Sequence, residues 1–240
     1  RIIEQTMPKV VFLENVENLV SHDGGNTFKI ILNTLENELN YHVVGVTRGE
    51  DGSLIYDKSS FIRNTKNFGL PQNRPRVYIV AFSRDYFGEH LQLIPDSTPV
   101  RNNRVIFGSV RDILDEYVPD SFFLASGFLE TLQNHKARQR KNGNGFGYRI
   151  VNAEGVENPI SSTLLATGGS GKERNLIYDP VNGRRCAGMM VGRKQTPINN
   201  EYIRTMTPEE WGRLQGFIGY AFLDENGNEG FSFPEGISNQ

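Results

Sequence analysis

The run Val10-Val11-Phe12-Leu13 reads as a buried strand and ends in Glu14-Asn15-Val16. Farther on, Gln72-Asn73-Arg74-Pro75-Arg76 leads directly into a second strand, Val77-Tyr78-Ile79-Val80-Ala81-Phe82. Between them lies a helical pattern, so the two strands belong in a layered α/β sheet. In an open sheet of that kind, ligands bind at strand ends. A carboxylate closing one strand and two arginines opening another can therefore converge on one planar polar ligand.

The elements between the two strands are legible. His22-Asp23-Gly24-Gly25 is a loop signal. From Thr27 the apolar residues fall at Phe28, Ile31, Leu32, Leu35 and Leu39, the spacing of one helix face, with Asn26 or Thr27 placed to cap it. Tyr41 to Val46 reads as a strand, and Glu50-Asp51-Gly52-Ser53 as the turn of a short hairpin. The order β-α-β-β predicts part of an α/β sheet with helices on its faces.

Beyond Phe82 the texture changes. Between about Tyr86 and Arg204 the segments are short and broken by Gly, Pro and Asn, which predicts a separate lobe rich in loops and strands with little helix. Ser109-Val110-Arg111-Asp112 reads as a capping box opening a short helix through Tyr117. Thr207-Pro208-Glu209-Glu210 is a fuller one, with threonine as N-cap, proline at the first helical position and glutamate at the third. That helix should turn Trp211 and Leu214 inward and stop at Gly216.

Composition narrows the function. The net charge of -2 carries no global signature of a nucleic-acid binder. Locally the chain is asymmetric: residues 136–213 are rich in Arg and Lys, whereas residues 1–60 and the C-terminal stretch are acidic. A basic lobe on a near-neutral chain points weakly to a polyanion partner. The single cysteine, Cys186, excludes an internal disulfide framework and a cysteine-based zinc site. The histidines lack ligand spacing, so no metal is expected. With no apolar run of membrane-spanning length and no signal pattern, the expectation is a soluble intracellular protein without a membrane partner.

Taken singly, the motifs have plain structural readings. Glu14, expected to be partly buried, reads by itself more often as a turn-capping carboxylate, and Arg74-Pro75-Arg76 by itself more often as a salt-bridged surface element. Arginine forks nonetheless suit carbonyl and phosphate oxygens, and the placement of both motifs on successive strands favours a ligand. The basic run Lys136 to Lys141 reads slightly more readily as a solvated surface than as a ligand contact, and Gly168-Gly169-Ser170-Gly171 as a hairpin loop or a ligand-facing loop with equal weight. Arg204 and Arg213 read as structural, anchoring the lobe to the sheet.

Three ordered motifs carry a resemblance. Val11-Phe12-Leu13-Glu14-Asn15-Val16 resembles the Glu-Asn-Val motif of DNA (cytosine-5) methyltransferases. Gly69-Leu70-Pro71-Gln72-Asn73-Arg74-Pro75-Arg76-Val77-Tyr78 resembles their Gln-x-Arg-x-Arg motif. Arg204 to Phe217 resembles their late helix motif, with Met206 in place of Leu and Glu209 where Arg is common. The resemblance spans nearly the whole chain, loosely in the middle lobe.

It implies a partial Rossmann-like methyltransferase sheet plus a loop- and strand-rich target-recognition lobe. The implied division is the C-terminal part of a catalytic domain over residues 1–87, a target-recognition domain over 88–203, and a helix and tail over 204–240 that return to the catalytic domain. The implied reaction moves a methyl group from S-adenosylmethionine to a cytosine flipped out of duplex DNA, as in a restriction–modification enzyme. Glu14 would engage the endocyclic nitrogen and exocyclic amine of the base, Arg76 its carbonyl oxygen, and Arg74 the same pocket. Asn15 and Gln72 would be scaffold hydrogen-bonders. Thr163, Leu164, Gly168, Gly169, Lys172 and Arg174 would meet the DNA.

The family's nucleophile is a cysteine in a Pro-Cys motif, and its cofactor loop is glycine-rich; neither occurs in this sequence, and Cys186 follows Arg185 instead. No cofactor-binding residue is therefore assigned. The chain alone is expected to be inactive, needing a partner polypeptide segment that carries the missing N-terminal part of the catalytic domain. The alternatives are a non-catalytic DNA-recognition subunit of a split methyltransferase and a tRNA cytosine-5 methyltransferase relative.

Overall fold

The computed structural model describes residues 1–145, 147–164 and 175–234. The chain divides into two compact units, one of Arg1–Phe68 with Arg74–Asn103, the other of Gly69–Asn73 with Arg104–Gln240.

The first unit is a mixed α/β layer. Strand β1 (Val10–Val16), β2 (Tyr41–Val43) and β3 (Ile62–Asn64) all pair antiparallel with β4 (Pro75–Ser83). Because β1 and β2 both oppose β4, they run parallel to each other, joined through helix α1 (Asn26–Asn33) with β4 inserted between them. Alternation along β4 buries Val77, Ile79 and Ala81. They pack with Val11, Phe28, Leu32, Leu35, Tyr41 and Val43 into one core, as the apolar spacing predicts. The helix starts differently from expectation. No side chain caps it; Gly25, at φ 94°, makes the entry instead. The hairpin forms as read, with Thr47–Arg48 against Leu54–Ile55.

Glu36 is the most deeply buried charge of this unit among the described residues. Its carboxylate accepts from the Val43 amide at 2.6 Å and pairs with Arg84 at 2.6 Å and Arg48 at 3.2 Å. Two guanidinium groups and a backbone amide compensate a carboxylate that water no longer reaches.

In the second unit Gln72–Asn73 runs parallel to Ser161–Ser162, and β5 (Arg149–Ile150) parallel to β6 (Asn175–Tyr178), which pairs antiparallel with β7 (Ile203–Arg204). The expectation of little helix is not met. Helix α2 (Ser126–Lys141) has 16 residues, and it buries only Leu129 and Leu132. So narrow an apolar stripe leaves almost no 3.6-residue periodicity to read. The Ser109–Asp112 capping box forms, but its helix is a single 3-10 turn ending at Ile113 rather than at Tyr117. Helix α3 (Pro208–Leu214) carries the predicted capping box of Thr207 and Glu210, and buries Leu214 with Trp211 half-buried beside it.

An ionic cluster organises the interior of this unit. Arg204, with no exposed side-chain surface, reaches Asp179 at 2.8 Å and Glu210 at 2.7 Å. Arg213 pairs with Asp115 at 2.7 Å, whose other oxygen accepts from the Thr207 hydroxyl. The partners of Arg204 and Arg213 thus all belong to this unit, whereas the sequence reading has them anchoring the lobe to the sheet.

Candidate functional site

The antiparallel register sets the geometry of Glu14 and Arg76. Glu14 lies opposite Tyr78 and Val16 opposite Arg76, so Glu14 and Arg76 are diagonal neighbours on one face. Arg76 Nε stands 2.9 Å from Glu14 Oε1. Arg76 Nη1 donates to the Pro75 carbonyl at 2.8 Å, which orients the fork. Among the described residues, Glu14 Oε2 and Arg76 Nη2 have no hydrogen-bond partner, so one acceptor and one donor remain open to a ligand. Glu14 is 43% exposed, not partly buried as its strand-end position predicts. The reason is topological: β1 is an edge strand among the described residues, paired only with β4.

Arg74 is held by its backbone. Its amide donates to Asn64 Oδ1 at 3.0 Å, and its guanidinium makes no ion pair among the described residues. Asn64 is a positioning residue that sequence reading missed, since nothing in its neighbourhood of sequence points ten residues ahead. Asn15 uses its side-chain oxygen on the Val16 amide at 2.8 Å, a local scaffold bond.

On the same face as Glu14 and Arg76, Phe12 and Tyr78 meet with ring centroids 5.7 Å apart. They line a largely apolar cavity of about 420 Å³ with Val80, Phe68, Thr98, Pro99, Thr65 and Arg63. Arg63 is buried there, donating to the carbonyls of Ile62 and Thr98; burial pulls its pKa below the usual arginine range.

In the second unit Gln72 is buried on the short ladder with Ser161. Gly69 precedes it at φ 91°, and a Cβ there would lie 2.3 Å from the Arg104 carbonyl oxygen, so only glycine fits. Thr163 donates its hydroxyl to the Asn73 carbonyl at 2.9 Å, and Leu164 packs against the core around Val110 and Ile177. Gly168, Gly169, Lys172 and Arg174 lie outside the described residues. Asn175, unnoticed in the sequence, holds Ser162 from both sides, accepting from its amide at 2.9 Å and donating to its carbonyl at 3.0 Å.

A family model described as C-5 cytosine-specific DNA methylase matches residues 1–222. The chain belongs to the C-5 cytosine-specific DNA methylase family. The chain is 38% identical over 216 residues to the type II methyltransferase M.HpaII of Haemophilus parainfluenzae, covering 90% of the chain and 52% of that relative. It is 33% identical over 228 residues to a DNA-cytosine methyltransferase of Escherichia coli K12, covering 90% of the chain and 43% of that relative. The chain thus spans about half the length of the curated relatives it matches. A solved methyltransferase of Entamoeba histolytica shares the fold, with a TM-score of 0.50 at 17% identity over 96% of this chain and 55% of that one.

A nucleoside-bearing methyl donor finds no cradle among the described residues. One glycine turn, Asp23–Gly25, leads from β1 toward α1, but Lys58 fills it: a Cβ on Gly25 would meet Lys58 Nζ at 2.1 Å. No group of three or more His, Cys, Asp or Glu side chains among the described residues could hold a metal ion. No described helix is long and apolar enough to cross a membrane.

Proposed function

We propose that this methylase chain supplies the base-holding half of an enzyme that methylates cytosine in duplex DNA, with S-adenosylmethionine as donor. The observation that carries the proposal is the Glu14–Arg76 pair, diagonal on adjacent strands at 2.9 Å with an open acceptor and an open donor. An acceptor beside a donor on a rigid edge complements a cytosine. Arg76 would take the carbonyl oxygen of a flipped base, Glu14 the ring nitrogen and exocyclic amine, and Arg74 would support the pocket. Asn15 and Gln72 belong to the scaffold in this reading, and Thr163, Leu164, Gly168, Gly169, Lys172 and Arg174 to the DNA contact.

The same proposal assigns target recognition to residues 88–203, with a catalytic part before it and a returning segment after it. The type II names of the relatives support a restriction–modification role; the proposal takes its substrate to be nucleoid DNA in the cytoplasm. Within these residues the only thiol, Cys186, is buried and follows Arg185, so the attack on the base needs a Pro-Cys segment from elsewhere.

Labelled methyl transfer to duplex DNA tests this, first with the chain alone and then with a polypeptide supplying the cofactor loop and Pro-Cys motif. Transfer only in the second case, abolished by Glu14→Gln, is expected. Transfer by the chain alone, or transfer that survives both Glu14→Gln and Arg76→Ala, overturns the proposal.

A further inference from the structure

Between Glu130 and Glu154 the sequence contains no Asp or Glu, yet it carries Lys136, Arg138, Arg140, Lys141 and Arg149. The structure gives this composition a shape. Helix α2 turns Leu129 and Leu132 inward, and Thr131, Asn134, Arg138 and Lys141 recur along its exposed face at helical spacing. Arg138, Arg140, Lys141 and Arg149 are exposed, and none of them makes an ion pair among the described residues. Helix α2 is polar on most of its surface, an arrangement that calls for a reason beyond propensity.

The plain reading is that cations in a last helical turn complement the helix dipole. That accounts for Arg138, Arg140 and Lys141, but not for Arg149, which lies beyond the helix. The chain doubles back so that Lys136 Nζ sits 4.7 Å from the Tyr148 ring centroid. The neighbouring Gly147 comes so close that a Cβ there would lie 2.9 Å from Lys136 Cγ. Arg149 then pairs in register with Asn175, and Asn175 grips Ser162 on both sides. A continuous path of contacts thus runs from the basic end of α2 through Tyr148, Arg149 and Asn175 to Ser162 and Thr163.

We infer that the C-terminal half of α2, with Arg149, binds the phosphates of duplex DNA beside the Thr163–Leu164 element. Guanidinium and ammonium groups that make no ion pair among the described residues match a row of phosphates, and the Glu201 carboxylate beside this helix accepts from Gln133 instead of pairing with them. Such contacts fix the register of a protein on the duplex while carrying no sequence information. The inference rests on the reading of the chain as part of a DNA-acting methylase.

Anisotropy of a labelled, mixed-sequence duplex of about 30 base pairs, titrated with the 240-residue chain between about 50 and 200 mM salt, tests it. The double variant R138Q/K141Q, on glutamines that favour helix, should weaken binding about tenfold and lower the salt slope by about two. Arg149→Gln, outside the helix, should lower the slope by about one, and R138K/K141R should retain the affinity. If the wild-type chain binds and both glutamine variants bind with the same affinity and slope, the inference fails alone. If the wild-type chain binds no duplex, the reading of the chain as DNA-acting fails with it. If bulk tRNA outcompetes the duplex and that preference disappears in R138Q/K141Q, the assignment to duplex DNA is overturned.

Discussion

Arg76 and Glu14 form an ion pair at 2.9 Å across adjacent antiparallel strands, the arginine 15% and the glutamate 43% exposed. The register of β1 on β4 places them on one face, and a slip of one residue would turn Arg76 to the opposite face. The pair is thus fixed by backbone pairing rather than by its own attraction, which is weak for a half-exposed pair.

Glu14→Gln should cost the fold less than about 1 kcal/mol. In the complemented enzyme it should lower methyl transfer by about a hundredfold or more, the scale of a lost acid–base group at the base. Denaturant midpoints and initial rates on the same preparation check it. A loss of rate that merely tracks a loss of folded protein would make Glu14 structural.

Arg204 should behave in the opposite way. It is fully buried between Asp179 and Glu210, and removing it strands both carboxylates without a counter-charge. Arg204→Ala should destabilise the second unit by about 3–5 kcal/mol. Arg204→Lys should recover only part, because an ammonium cannot serve both oxygens of Glu210 as the guanidinium does at 2.7 Å each. Urea unfolding followed by the fluorescence of Trp211 reports on this unit directly.

Cys186 should be silent toward thiol reagents. It is buried beside Val118, Phe123 and Ile198. Burial, reinforced by the Asp120 carboxylate, pushes its pKa above the usual thiol value, so little thiolate forms near neutral pH. A disulfide reagent should leave it unmodified in the folded chain and modify it fully in denaturant. Rapid reaction in the native state would refute the buried placement.

His42 supplies a pH dependence. Burial first, and the Arg84 guanidinium second, hold its pKa below the ordinary histidine value, with Glu36 and Asp96 opposing in part. The unfolded chain therefore takes up the proton first as pH falls. The contribution is intact above about 6.5 and is lost as pH drops through the lower, folded-state value. Wild type should lose more stability than His42→Gln between about pH 7.5 and 5.5, read from urea midpoints. Equal losses would show that His42 titrates alike in both states.

How much of this was legible follows the range of the interaction. The strands carrying Glu14 and Arg76, the apolar face of α1 and the capping box of Thr207 and Glu210 were all readable, since each is set by residues within a few positions of one another. Helix α2 was not, because its long polar surface hides two buried leucines, and its Lys136 meets Tyr148 from beyond the end of the helix. Burial of Arg204 was equally invisible, since a charge becomes an interior residue only when Asp179 and Glu210 arrive from other elements. The sequence by itself determined which side chains close one strand and open the other. The tertiary structure alone decided that Glu14 and Arg76 face each other and that Glu14 stays open to solvent. Strand register and edge position are properties of the assembled sheet, and no short stretch of chain contains them.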